Sequence, residues 1–165
     1  MSSKDKNLSS YEPDSVPSAE KMKFAIVVAE WNHEITGALL DGACESLISH
    51  GAKKDNIDIR YVPGSFELTA GAKYCAEYGN KDAVICLGCV IQGETRHFDF
   101  ICQGVTYGIS RLNLKYDIPF IFGLLTTANR QQALDRAGGK HGNKGVEAAI
   151  TAIKMVALKK EMKQK

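Results

Sequence analysis

The amino-acid sequence predicts an α/β fold in which helices cover both faces of a four-stranded parallel sheet. Four short apolar runs have the length of strands, and a segment with helical spacing of apolar residues follows each of them. Strands and helices that alternate in this way join through right-handed crossovers, which make the sheet parallel. The chain of 165 residues shows no internal repeat, so it fits one domain with a single core.

The four predicted strands are KFAIVVAEW from Lys23, NIDIRYV at 56–62, AVICLGCVI at 83–91 and PFIFGLLTT at 119–127. The third strand is apolar without alternation, which is typical of a parallel strand buried on both faces. The second strand alternates between apolar and polar residues, as strands do.

Two helices are predicted between the first three strands. EITGALLDGACESLISHGA, from Glu34, carries apolar residues at helical spacing and has Gly51 as its C-cap. Ser65 is predicted to be the N-cap of the second helix. The buried stripe of that helix would consist of Phe66, Ala70, Tyr74 and Cys75.

Three more helices are predicted in the second half of the chain. The third covers FDFICQGVTYGISRLNLKY, and Thr127 would cap a short fourth helix that ends at Gly138. The fifth and longest helix is KGVEAAITAIKMVALKKEM, from Lys144. Its buried stripe would consist of Val146, Ala149, Ile150, Ile153, Val156 and Ala157.

Composition and charge narrow the class of protein. The formal net charge of +2 is too close to neutral to predict binding of nucleic acid or of an anionic membrane. The chain lacks an apolar run long enough to predict a transmembrane helix. Residues 1–22 are polar and have no apolar signal segment, which predicts a flexible or extended N-terminal arm ahead of a single domain at 23–165.

The cysteines do not have the spacing of a disulfide scaffold. They are Cys44, Cys75, Cys86, Cys89 and Cys102. In a chain without a signal segment they indicate reduced thiols and a cytoplasmic protein. Cys86 and Cys89 form a CxxC, but residues three apart on a strand point to opposite faces, so we do not expect the pair to share a metal or a disulfide.

Polar and aromatic residues follow every predicted strand, where ligands bind to open parallel sheets. The segments are WN (31–32), PGSFE (63–67), QGETRH (92–97) and TT (126–127), with Phe122 just before the last. Aromatic rings, amides and carboxylates at one edge predict a site for a flat polar heterocycle. The alternatives are a core position for Trp31 and an ordinary first helical turn for Phe66 and Glu67.

His97 is the candidate for proton transfer. An unperturbed imidazole titrates at about 6.5, so it can give and take protons near neutral pH. Asp99 is near enough in sequence to orient or polarise it. The alternative is a histidine that caps the start of its own helix. No HxxxH or HExxH pattern occurs, so a metal site is not expected.

Two segments are candidates for binding an anion. Glu94 and Thr95 precede a helix N-terminus, and Arg136 carries a guanidinium suited to phosphate. The alternatives are an ordinary capping segment and a cation that complements its helix dipole, and Lys144 would ordinarily be a surface charge. GGKHGNKG does not match the P-loop pattern and no GxGxxG follows the first strand, so nucleotide binding is disfavoured.

Five segments taken together resemble the lumazine synthases, which catalyse the penultimate step of riboflavin biosynthesis. They are WN (31–32), PGSFEL (63–68), GCVIQGETRHFDFI (88–101), PFIFGLLTT (119–127) and QALDRAGGKHGNKG (132–145). The resemblance implies a flavodoxin-like three-layer αβα sandwich. It also implies condensation of 5-amino-6-(D-ribitylamino)uracil with 3,4-dihydroxy-2-butanone 4-phosphate to 6,7-dimethyl-8-ribityllumazine, phosphate and water, without a cofactor or metal.

The resemblance implies a role for each candidate residue. Ribitylaminouracil would contact Trp31, Ser65, Phe66, Glu67, Cys89, Val90, Ile91, Phe122 and Lys144. The butanone phosphate would contact Glu94, Thr95 and Arg136, and His97 would transfer protons. Phe122 and Arg136 would come from the neighbouring subunit. Cys89 and Arg96 stand where smaller residues are common in the family. Because the Glu94 side chain is acidic, its backbone N–H is the expected phosphate contact.

The resemblance also implies a homo-oligomer, a pentamer with its sites between adjacent subunits. Because GGKHGNKG is short, we expect twelve pentamers to form an icosahedral 60-mer. The N-terminal arm would add a strand to a neighbour's sheet, and riboflavin synthase is a further implied partner. The alternative function is a non-catalytic module of the same fold that binds a flavin or lumazine, which would have no use for His97 and Arg136.

Overall fold

A four-stranded parallel sheet forms the centre of the computed structural model, which describes residues 15–164. The strands are β1 (Phe24–Ala29), β2 (Ile57–Val62), β3 (Ala83–Ile91) and β4 (Phe120–Thr127), in the order β2-β1-β3-β4. Every neighbouring pair is parallel. The number, positions and direction of the strands predicted for this sheet are confirmed.

Helices cover both faces of this sheet. They are α1 (His33–Ser49), α2 (Leu68–Tyr78), α3 (His97–Lys115), α4 (Arg130–Asp135) and α5 (Lys144–Lys163). One half of the core joins the sheet to α1 and α5, and the other half joins it to α2 and α3. The predicted three-layer αβα fold is therefore confirmed, together with the predicted stripes of α1 and, in most positions, of α5.

The two central strands, β1 and β3, are buried on both faces, so their side chains alternate between the two halves of the core. Phe24 and Ile26 of β1 pack toward α1 and α5, whereas Ala25 and Val27 pack toward α2 and α3. Cys86 and Cys89 of β3 likewise belong to opposite halves of the core. The prediction that these two residues point to opposite faces of the sheet is confirmed, and all five cysteines are free.

The start of the second helix differs from the prediction. A short 3-10 helix, Ser65–Glu67, precedes α2, and the side chain of Ser65 makes no capping hydrogen bond. The extra turn shifts the helical phase, so Leu68, Ala72 and Cys75 form the buried face. The predicted N-cap and most of the predicted stripe are wrong: Phe66, Ala70 and Tyr74 are exposed.

The region after β4 also differs. Asn129, not Thr127, caps α4 by accepting a hydrogen bond from the Gln132 N–H at 3.0 Å. The helix ends at Asp135 because the chain turns into a hairpin of β5 (Ala137–Gly139) and β6 (Gly142–Asn143). Gly138 lies in this hairpin with φ +109°, a conformation that favours glycine. The hairpin shows that the glycine-rich segment is an ordered turn.

The last residues of the predicted N-terminal arm pack against their own chain. Ala19 and Met22 are buried in the same half of the core as α1, and the Ala19 N–H donates to the His50 carbonyl at 2.8 Å. The rest of the arm, residues 1–14, lies outside the described residues. None of the helices within 15–164 is both long and apolar enough to cross a membrane.

Candidate functional site

A cavity of about 880 Å³ opens at the carboxyl ends of β1, β2 and β3. Its lining includes nine of the predicted site residues: Trp31, Ser65, Phe66, Glu67, Cys89, Val90, Ile91, Thr95 and His97. Asn32, Pro63, Gly64, Gly93, Phe98 and Ile101 complete the lining. We call this space the first cavity. The strand-end rule thus brings three of the four predicted segments together, while Phe122, Thr126 and Thr127 of β4 do not line this cavity.

A left-handed turn at Asn32 shapes one wall of the first cavity. Its φ of 60° reverses the chain after β1, and its side-chain amide donates to the Cys89 carbonyl at 3.0 Å. The Trp31 N–H donates to the Pro63 carbonyl at 3.2 Å, which ties the ends of β1 and β2 together. These bonds fix the backbone, while the Trp31 side chain remains 73% exposed and free to stack on a ligand.

The 3-10 helix Ser65–Glu67 forms the second wall. Ser65 is only 7% exposed, and its Oγ has no hydrogen-bond partner anywhere in residues 15–164. A buried hydroxyl without a partner is costly, so this atom is suited to bonding a polar ligand. The next residue, Phe66, is 59% exposed and presents an aromatic ring at the mouth of the cavity.

The end of β3 forms the floor. Cys89 is 2% exposed, and burial raises the pKa of its thiol to about 11. The thiol therefore stays protonated at neutral pH and is a poor nucleophile. Val90 and Ile91 are half-buried and follow it along the same wall. The floor supplies shape and backbone polar groups but no reactive sulfur.

His97 is the first residue of α3, and its side chain is exposed at the edge of the first cavity. Its backbone N–H donates to Thr95 Oγ1 at 3.4 Å, so Thr95 assists the start of the helix. Asp99 lies 3.5 Å from Arg96 Nε, which pairs this carboxylate with a neighbouring cation. An accessible imidazole beside an empty volume can exchange protons with a bound molecule.

The remaining predicted residues lie elsewhere on the chain. Phe122 and Lys144 line a second cavity of about 320 Å³, beside the edge strand β4. Arg136 follows α4 and lines neither cavity. Glu94 is exposed in the loop before α3 and is not part of the lining. Within this chain the predicted set therefore divides into separate groups.

Arg136 and Lys144 share one buried carboxylate. Arg136 Nη2 lies 2.6 Å from Glu147 Oε1, and Lys144 Nζ lies 3.1 Å from Glu147 Oε2. Arg136 Nη1 also donates to the His141 carbonyl. The Glu147 side chain is 6% exposed, so two cations surround one shielded anion. The excess positive charge of this cluster suits an anionic ligand.

Sequence reasoning missed three residues of these groups. Phe98 and Ile101 line the first cavity from the first turns of α3, and Glu147 holds the two cations. Phe98 and Ile101 lie one and four residues after His97 on the same helix, and this spacing could have predicted that they lie near the site. No cluster of three or more His, Cys, Asp or Glu side chains in the described chain could hold a metal ion.

Comparison with known proteins gives one family. A family model described as 6,7-dimethyl-8-ribityllumazine synthase matches residues 21–160. A protein of that name from Parabacteroides distasonis is 64% identical over 150 residues, which cover 91% of this chain and 94% of the relative. One from Cytophaga hutchinsonii is 62% identical over 157 residues, 95% of this chain and 98% of the relative. One from Phocaeicola vulgatus is 56% identical over 158 residues, which cover 96% of this chain and 94% of the relative.

Proposed function

This chain belongs to the 6,7-dimethyl-8-ribityllumazine synthase family, and from that premise we propose how its two groups of residues serve the family's reaction. The enzyme is a transferase that condenses 5-amino-6-(D-ribitylamino)uracil with 3,4-dihydroxy-2-butanone 4-phosphate. The products are 6,7-dimethyl-8-ribityllumazine, phosphate and water, in the penultimate step of riboflavin biosynthesis.

The first cavity is the proposed site for ribitylaminouracil. Trp31 and Phe66 offer rings for stacking on the pyrimidine, and the unpartnered Ser65 hydroxyl offers a hydrogen bond. Glu67 and the backbone of Cys89–Ile91 are further proposed contacts in this cavity. A volume of about 880 Å³ accommodates a heterocycle with a ribityl chain.

The phosphate site is proposed to form only between two subunits. The single observation that supports it is the separation of Phe122, Arg136 and Lys144 from the first cavity of their own chain. A neighbour would bring Phe122 and Lys144 to the ribitylaminouracil in that cavity. It would bring Arg136 to the phosphate that Thr95 and the loop N–H groups before α3 also contact. The Glu94 backbone is the proposed contact, since its carboxylate would repel the ligand.

His97 is the proposed proton-transfer residue. The amine of the pyrimidine attacks the ketone and loses water to form an imine, phosphate leaves, and ring closure releases a second water. Each step moves a proton, and an exposed imidazole at the rim is suited to that task. Binding both substrates side by side supplies the remaining acceleration through proximity.

The proposed assembly is a pentamer, with twelve pentamers forming an icosahedral shell. Large apolar side chains exposed on α2, α3 and α5 support an oligomer: Tyr74, Tyr78, Phe100, Tyr107, Leu114, Met155, Leu158 and Met162. Light scattering distinguishes the forms, because chains of 18.0 kDa give about 90 kDa for a pentamer and about 1,080 kDa for the shell. A mass near 90 kDa contradicts the shell.

Three smaller proposals accompany the assembly. The N-terminal arm, residues 1–22, would add a strand to a neighbouring sheet, and deletion of residues 1–14, which leaves the buried Ala19 and Met22 in place, should weaken assembly. Riboflavin synthase is the proposed protein partner, which co-sedimentation of the two enzymes tests. Five free cysteines support a cytoplasmic location, which fractionation of cells tests.

Mixing the two substrates with the purified protein tests the reaction directly. We expect the absorbance of the lumazine to appear at a rate proportional to protein concentration. The alternative is a non-catalytic module that binds a flavin or lumazine in the first cavity. Binding of riboflavin without any formation of lumazine would favour that module and contradict the enzyme.

A further inference from the structure

The ring of Phe66 rests on a helix to which it does not belong. Phe66 belongs to the 3-10 helix Ser65–Glu67 and is 59% exposed, so few contacts fix the position of its ring. A Cβ atom built on Gly104 of α3 would lie 3.1 Å from Phe66 Cε2 and 3.5 Å from Cδ2. The ring edge therefore occupies the space that a side chain at position 104 would take.

Gly104 lies on the face of α3 that borders the first cavity. His97 and Ile101 line that cavity, and Gly104 follows them at the i+7 and i+3 positions of the same helical face. Glycine is a poor residue for a helix interior, so a role for it at position 104 requires a contact that uses the space of the missing side chain. The contact with Phe66 meets that requirement.

Ser65, the residue before Phe66 in the same wall, also lies against a glycine. A Cβ atom built on Gly88 of β3 would lie 2.8 Å from Ser65 Oγ, the buried hydroxyl that has no partner within 15–164. Ser65 and Phe66 are consecutive, and both back onto glycines from different elements. The unpartnered hydroxyl points to a polar ligand at this wall, which makes the position of the wall functionally important.

Two other helical glycines have different surroundings. A Cβ atom on Gly108 would lie 2.4 Å from Thr69 Oγ1, and Thr69 does not line the first cavity. Gly37 of α1 has no atom within 4 Å of its added Cβ. Gly108 therefore serves the packing of α2 against α3, and Gly37 has open space. Of the three, only Gly104 contacts a side chain of the cavity.

We propose that Gly104 is a positioning residue that sets the place of the Phe66 ring and thereby the affinity for ribitylaminouracil. The inference rests on the proposed assignment of the first cavity to that substrate. A methyl group at position 104 displaces the ring by a few tenths of an ångström, and the exposed ring has room to move. The stacking contact then worsens, while the phosphate contacts of the other substrate stay unchanged.

Steady-state kinetics of Gly104→Ala and Gly37→Ala test the proposal. Both changes add one methyl group to a helix interior and improve its helix propensity. For Gly104→Ala we expect the KM for ribitylaminouracil to rise about three- to tenfold, with kcat and the KM for butanone phosphate changed less than about twofold. For Gly37→Ala all three constants should equal those of the wild type.

A double-mutant cycle with Phe66→Leu separates positioning from a general effect on folding. If Gly104 acts through the aromatic ring, Gly104→Ala should change the KM by less than about twofold once the ring is gone. The same factor in both backgrounds would overturn the proposal. Quenching of Trp31, the only tryptophan, measures the dissociation constant of ribitylaminouracil without turnover and should follow the KM.

The possible failures are distinguishable. Absence of lumazine formation by the wild type would overturn the proposed function and this inference with it. Normal wild-type turnover, with Gly104→Ala indistinguishable from Gly37→Ala, would overturn the role of Gly104 alone. If Gly104→Ala does not fold, Phe66→Leu alone is measured in its place. An unchanged dissociation constant for that variant removes the ring from binding and overturns the role of Gly104 with it.

Discussion

Arg136 Nη2 donates to Glu147 Oε1 at 2.6 Å, and the side chains of both residues are largely shielded, 14% and 6% exposed. Lys144 Nζ contacts the other oxygen of the same carboxylate at 3.1 Å. Glu147 therefore holds both cations in place. Lys144 lines the second cavity, and Arg136 lines neither cavity. We propose that this arrangement holds Arg136 in place for a ligand in the first cavity of a neighbouring subunit.

The shielded ion pair should contribute measurably to stability. We expect Arg136→Ala to lower the free energy of unfolding by about 3 kcal/mol, because it removes one of the two cations around a buried carboxylate. The matched control is Arg130→Ala, which breaks an exposed pair with Glu34 and should cost less than about 1 kcal/mol. Urea unfolding measures both, and equal losses would contradict the distinction.

Replacing His97 should slow the reaction without preventing binding. We expect His97→Gln to lower kcat by about 10²-fold or more, since a positioned acid or base contributes about 10²–10⁴-fold. The dissociation constant of ribitylaminouracil should stay within about twofold. His33→Gln is the control, because His33 is also an exposed first residue of a helix but lines neither cavity. A normal kcat for His97→Gln would disprove the assigned role.

The two unpartnered serine hydroxyls provide a test of ligand contact. Ser65 and Ser46 are both buried with no partner for Oγ among the described residues, but only Ser65 lines the first cavity. Each serine-to-alanine change should leave stability within about 0.5 kcal/mol of wild type or raise it. Only Ser65→Ala should weaken ribitylaminouracil binding, by about fivefold. Equal affinities for the two variants would remove the proposed hydrogen bond.

The buried thiol of Cys86 should make stability fall in alkaline solution. Burial raises the pKa of this thiol from 9.0 to about 12 in the folded protein. The contribution of this thiol to the free energy of unfolding is complete below pH 9. It is lost as pH rises toward 12, because only the unfolded thiol ionises in that interval. Cys86→Ala should therefore show a shallower loss of unfolding free energy between pH 9 and 11. Identical slopes for wild type and variant would contradict the shifted pKa.

The sequence predicted the sheet well because its signals are strong and local. The run at 83–91 is apolar throughout, and the stripes of α1 and α5 have clear helical spacing. The phase of α2 was wrong because a 3-10 turn of three residues, Ser65–Glu67, precedes it and periodicity does not register such a turn. The same turn sends Ser65 into the cavity instead of to a helix cap.

The candidate site was only partly predictable from local patterns. The strand-end rule found Trp31, Ser65 and His97, because carboxyl ends of parallel strands meet at one edge. It could not assign Arg136, which lies after a short helix and away from the first cavity. Glu147 was not predicted, because a charged residue in a helix is expected to face solvent. In the structure, ion pairs with two cations compensate the burial of its carboxylate.

Mixing two inactive variants tests the central claim, that each site combines the first cavity of one subunit with Arg136 of the next. His97→Ala and Arg136→Gln are refolded together in equal amounts, and lumazine formation is measured. If subunits share sites, random assembly restores both residues at about one site in four, so activity should recover to about a quarter of wild type. Activity no higher than that of either variant alone would contradict the shared site.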